Sequence, residues 1–106
     1  MNNVSIMTRY LWLNKKEKAK DKKFDKTSKI FDILSNPTRL KMAYLLCTRE
    51  ICNCEIKKLL KKEQTLISHY LRDFKKAGML QERRHGRWRR YSIKDEKIKA
   101  LLDLME

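Results

Sequence analysis

No apolar run in these 106 residues approaches the roughly 20 needed to cross a bilayer, and a mean hydropathy of -0.74 is too polar for an embedded chain. Cysteine is scarce: Cys47, Cys52 and Cys54 are an odd number at irregular spacing, which is no disulfide framework. In a reducing cytosol such cysteines are core thiols or ligands. The two histidines, His69 and His85, have no evident acid–base partners, and neither a nucleophile box nor a phosphate loop is present. Enzyme chemistry is therefore not expected. A secretory signal is missing too, because the basic cluster of the first 23 residues follows the short apolar stretch instead of preceding it. A cytoplasmic protein is expected, with no membrane partner.

Acidic residues are also few. Thirteen Asp and Glu face 27 Lys and Arg, a net charge of +14. A field of that size on one small domain suits a polyanion, with nucleic acid the first choice and an anionic membrane surface the second.

Glycine and proline are rare enough that each marks a boundary. Residues 1–23 are set apart as a basic N-terminal extension, in which Tyr10-Leu11-Trp12-Leu13 is the segment able to pack on something. The domain proper is expected over 24–106. Phe24, Phe31 and Leu34 recur at helical spacing, widened by Ile30. Asn36 is a good N-cap for a second helix that starts at Pro37, the single proline, and runs to about Cys47. Leu40, Ala43, Tyr44 and Cys47 form its apolar side.

After an extended Arg49–Ile51 link, a third helix is expected from about Cys52 to Lys61, with Ile56, Leu59 and Leu60 buried. A tight turn at Lys61–Glu63 leads to a fourth helix over about 64–77. Gly78 stands where a left-handed closing residue is wanted. The period then shortens. Two strands within 79–93 flank His85-Gly86, a hairpin signal. A last helix over about 95–105 carries Ile98, Leu101, Leu102 and Met105 as one stripe. A monomer this small has little against which to bury that stripe, so it points to a second copy. The fold class is mainly α with a small β-hairpin, in the order α-α-α-α-β-β-α of a winged helix-turn-helix.

On a wheel of about 100° per residue, Ile67, Leu71 and Phe74 share one face of the fourth helix, with Tyr70 beside them. Thr65, Ser68, His69, Arg72 and Lys76 share the opposite face. It is short-chained at its N-terminal end and basic beyond, as a helix entering a major groove requires. Gln64 suits adenine, and Thr65 and Ser68 suit bases or phosphates. Five arginines crowd the hairpin; Arg84, Arg87 and Arg89 are the candidate contacts to phosphate or minor groove. Trp88 and Tyr91 are expected to pack the hairpin onto the domain.

Several segments resemble the ArsR/SmtB family of winged-helix repressors. They are Leu34-Ser35-Asn36-Pro37-Thr38-Arg39-Leu40, Gln64-Thr65-Leu66-Ile67-Ser68-His69-Tyr70-Leu71, Ala77-Gly78-Met79-Leu80, and His85-Gly86-Arg87-Trp88 with Tyr91. The likeness spans about residues 28–93. It departs at Tyr70, where the family usually has His, and does not account for the basic N-terminus. The resemblance implies a homodimer pairing its first and last helices, bound to an inverted repeat in double-stranded DNA.

Glu50-Ile51-Cys52-Asn53-Cys54-Glu55-Ile56 resembles the cysteine box of the family's thiol-sensing members. That likeness implies a repressor released from its operator by As(III), Sb(III) or a soft divalent ion such as Cd, Zn or Pb; no cofactor is required. Cys52 and Cys54 would be ligands, helped by a helix N-terminus and by Arg49, Lys57 and Lys58 nearby in sequence. Because residues i and i+2 do not share a helix face, gripping one ion would distort the first turn. Cys47 is the one remaining candidate for a third thiolate, and it equally suits the core. The family's other metal site, on the last helix, needs histidines, and 94–106 has none. The alternatives are a winged-helix regulator responding to thiol oxidation or to no ligand, and a nonspecific architectural binder that uses charge alone.

Overall fold

A computed structural model describes residues 6–9 and 17–105. The apolar Tyr10–Leu13 segment lies outside them. Residues 6–9 are helical. Five longer helices follow: α1 Glu17–Leu34, α2 Pro37–Thr48, α3 Asn53–Leu60, α4 Gln64–Lys76 and α5 Glu96–Leu104. Three short strands, β1 Ile51–Cys52, β2 Gln81–His85 and β3 Trp88–Ser92, form an antiparallel sheet in the order β1-β3-β2.

Punctuation sets the element ends. The Asn36 side chain accepts from the Arg39 backbone N–H at 3.0 Å, with Pro37 in the first turn, so α2 starts where the sequence says. The Asp95 side chain does the same for α5, accepting from the Lys97 N–H at 2.8 Å. Between α3 and α4 the chain turns on Lys61, whose φ of 53° is left-handed for a residue with a Cβ. Gly86 opens the hairpin turn with φ 62°, and His85 pairs with Trp88 across it. A positive φ at the first of two central residues is the pattern of a type II′ turn, whose twist matches the flanking strands.

The core gathers Met42 and Leu46 from α2, Ile51 from β1, Ile56 from α3, Ile67 and Phe74 from α4, and Ile93 after β3. Each is fully enclosed, and each such side chain contributes roughly 1.5–3 kcal/mol by leaving water. The Ile93 N–H donates to the Leu46 carbonyl at 2.9 Å, and the Tyr44 hydroxyl donates to the Leu102 carbonyl at 2.9 Å. These two bonds fasten the hairpin and α5 to α2.

Four expectations about burial change. Leu59 is 56% exposed, because α3 is short and buries Ile56 in place of a full stripe. On α1, Phe24 and Phe31 are exposed while Ile33 is buried, so within one chain the helix turns a different edge inward. Ile98 and Leu102 of the α5 stripe are buried in the chain's own core, and Met105 is left outside with Leu104. Trp88 is 57% exposed; Tyr91 alone packs the hairpin inward. The strand β1 is an addition. Two residues are too few to show a period, and pairing of Ile51 with Tyr91 and of Cys52 with Arg90 makes it a strand. No helix among the described residues is long and apolar enough to cross a membrane.

Candidate nucleic-acid interface

Helix α4 is two-sided. Ile67, Leu71 and Phe74 are buried, which fixes the helix by one face. Thr65, His69 and Arg72 stand exposed on the other, and Ser68 and Gln64 are half-buried. The Gln64 Nε2 donates to Ser68 Oγ at 3.2 Å, so these two candidate base contacts are linked. His69 has a neighbour one turn on: its Nε2 lies 3.7 Å from Asp73 Oδ2. The same carboxylate oxygen is 3.4 Å from Arg39 Nη1. Arg39 also donates to the Asp32 carbonyl at 3.3 Å and stacks over the Tyr70 ring, 5.4 Å from Cζ to centroid. It therefore joins the end of α1 to the back of the reading helix. Lys76 faces a hollow beside Lys29 and Asp32 of α1, away from the groove that Ser68 and Arg72 line.

The wing lies across an open cleft from α4. Two carboxylates tether it. The Glu50 carboxylate accepts from Arg83 Nε at 3.0 Å and from Arg83 Nη2 at 2.6 Å, a bidentate pair that spans the sheet. Glu82 accepts from Lys75 of α4 at 3.1 Å and from Arg89 at 3.3 Å. Both carboxyls are held below their usual range, Glu50 chiefly by its hydrogen bond with Arg83 and Glu82 chiefly by that with Lys75. Beneath them, burial first and the Glu82 charge second push the Tyr91 hydroxyl up.

The wing arginines are thus unequal. Arg83 and Arg89 are engaged with carboxylates; Arg72, Arg84 and Arg87 form no ion pair among the described residues. Arg87 occupies the turn itself. Lys75 and Asn53 also line the cleft and escaped the sequence argument. The spacing of Ser68, Arg72 and Lys75, at i, i+4 and i+7, was the available signal for Lys75. Nothing comparable marked Asn53, which arrives from a separate helix.

The cysteines divide. Cys52 is the N-cap residue of α3, with extended backbone at φ -84° and ψ 158°, and Cys54 sits in the first turn. The corner between β1 and α3 therefore makes the two thiols interacting neighbours without unwinding a helix. The Cys52 Sγ donates to Glu55 Oε1 at 3.6 Å. Contrary to the helix-terminus argument, the Cys54 thiol is pushed up, first by its hydrogen bond with Cys52 and then by desolvation. The backbone amides of Cys54 and Glu55 pull the other way and are outweighed. Arg49, counted on to favour thiolate, is paired with Glu55 at 3.0 Å. Cys47 stands apart on α2, near Lys99 and Asp103 of α5, and burial pushes its thiol up. No three His, Cys, Asp or Glu side chains converge on a metal position among the described residues.

Comparison with known proteins fits this geometry. Residues 36–82 match the model of the family described as "Bacterial regulatory protein, arsR family". The chain is 39% identical to the uncharacterized HTH-type transcriptional regulator MJ1325 of Methanocaldococcus jannaschii over 79% of this chain and 96% of the relative. It is 33% identical to the cadmium resistance regulatory protein CadC of Listeria innocua, over 98% and 92% of the two chains. Among solved structures, the homodimeric winged helix-turn-helix DNA-binding domain of Mb0332 from Mycobacterium bovis aligns with a TM-score of 0.73 at 27% identity, over 81% and 80%. A winged helix with these relatives is a transcriptional regulator and not an enzyme, and the chain belongs to the ArsR family.

Proposed function

We propose that the protein is a homodimeric repressor that reads an inverted-repeat operator with α4 and is released when the Cys52 and Cys54 thiols take up a soft metal or metalloid ion. One observation carries the DNA half. Thr65, His69 and Arg72 stand exposed opposite Ile67, Leu71 and Phe74, so burial holds the helix by its back and offers its front to a groove. Thr65, Ser68, His69 and Gln64 act on base edges; Arg72, Arg84, Arg87 and Arg89 act on phosphates.

Dimerisation is supported by apolar side chains that one copy leaves in water: Phe24 and Phe31 on α1, Leu104 and Met105 at the end of α5. A two-fold pair of reading helices would stand about one DNA turn apart, ~34–36 Å.

For sensing, the support is the pair of neighbouring thiols at the corner that carries α3, together with relatives named for cadmium and arsenic resistance. Two adjacent soft donors suit a thiophilic ion, and binding displaces their protons. The ion would be held by Cys52 and Cys54, since no three-donor cluster including Cys47 is formed among the described residues. The separation of Cys47 also favours a second reading in which oxidation of the pair, with no metal, weakens DNA binding.

The experiment is a binding assay on a duplex selected from random sequence, with reduced protein. Arsenite or Cd(II) is expected to weaken binding at least tenfold, and the Cys52→Ser variant to lose that response while still binding DNA. Unchanged affinity with metal removes the metal claim, and release by peroxide alone establishes the second reading.

The charged half has its own measurement. Arg87→Ala with Arg89→Ala is expected to weaken binding to every duplex and to lower the slope of log K against log salt by about 1–2. An unchanged slope means that these arginines touch no phosphate.

A further inference from the structure

The cleft between α4 and the wing has two characters. Its base is apolar, from Leu71, Leu80 and Tyr91. Its rim is cationic; Lys75 and Arg89 share the single Glu82 carboxylate, and the lining cations with no ion-pair partner among the described residues are Arg72 of α4 and Arg87 of the wing. The Trp88 indole lines the same cleft and is 57% exposed. Its position follows from the register. Trp88 and His85 are the last pair of the hairpin, beyond the reach of the core that buries Tyr91.

A lone exposed aromatic needs no explanation. An indole lining a concave surface that two unpaired arginines also line, on a chain of net charge +14, is a different case. The indole offers an apolar face and a single N–H donor. A sugar–phosphate strand offers an apolar deoxyribose and phosphate acceptors alternating along its length. The cleft is open to solvent, as entry of a strand requires. It is also braced, since Lys75–Glu82 ties wing to helix and Glu50–Arg83 ties wing to β1.

We propose, resting on the assignment of α4 and the wing to duplex DNA, that the cleft between them seats one sugar–phosphate strand, with Arg72 and Arg87 on its phosphates and the Trp88 indole packed against the deoxyribose between. Trp88 then supplies the part of the affinity that salt does not screen.

The chain has two tryptophans, so Trp12→Phe leaves Trp88 as the single indole to observe. In that background, adding the selected duplex is expected to shift and quench the Trp88 emission. Trp88→Ala is expected to weaken binding about tenfold, the loss of one sizeable apolar contact, with an unchanged salt slope and unchanged base preference. Trp88→Phe is expected to retain most of the affinity, and both variants to keep the melting midpoint because the side chain is half outside. Equal binding by Trp88→Ala, or emission that ignores the duplex, overturns the seat while leaving the reading helix intact. A loss seen only on single-stranded DNA, or confined to one base step, also overturns it. A wild-type chain that binds no duplex at all overturns the seat and the proposed function together.

Discussion

Replacing Phe74 with alanine is expected to lower the unfolding free energy by about 3–5 kcal/mol. Phe74 is fully enclosed, the largest side chain so placed, and it sits on the inner face of α4 among Ile67 and Leu71. Truncation removes the transfer energy of the ring and leaves a hole that rigid neighbours close only in part. A domain of this size has about 5–15 kcal/mol in total, so the loss is a large share of it. DNA affinity should fall with it, since α4 is positioned by this ring and its two neighbours. Urea unfolding with an unchanged m-value measures the effect; a loss below about 1 kcal/mol means that Phe74 does not hold the reading helix.

The second large effect concerns specificity. Ser68→Ala and His69→Ala are each expected to cost about 1–3 kcal/mol on the best duplex and much less on unrelated DNA. The difference arises because base edges carry the sequence and phosphates do not. Ser68 also anchors Gln64 through the 3.2 Å bond, so its loss frees the Gln64 amide. The preference at the base read by Gln64 should therefore relax as well. His69 is steadied by Asp73, and Asp73 by Arg39. Competition against a panel of single-base operator variants resolves these effects. Equal losses on every sequence would show that positions 68 and 69 only stiffen the helix.

The two effects belong to the two faces of one helix, and that division was visible in the linear pattern. So were the Asn36 cap, the Asp95 helix start, the Gly86 turn and the left-handed Gly78 at φ 71°. Caps, turns and amphipathic periods are relations among residues a few positions apart, where local stereochemistry decides the outcome. The basic charge, too, is a property of composition.

Other features were settled only when the chain closed on itself. Whether an arginine is free for DNA depends on carboxylates far away in sequence: Glu50 takes Arg83, and Glu82 shares Lys75 and Arg89. A helical wheel has no means of showing this. The cysteine corner is of the same kind. Pairing of β1 with β3 makes Cys52 the end of a strand, so its thiol meets Cys54 while Cys47 faces α5. The α5 stripe looked like a surface for a second copy, yet Ile98 and Leu102 found their place inside one chain. Sequence by itself determined the long helices, the hairpin, their order and the polar face of α4, because these follow from neighbours along the chain. Tertiary structure alone decided which charges are spent internally, which thiols meet and which apolar residues stay outside, because those depend on distances that exist only after packing.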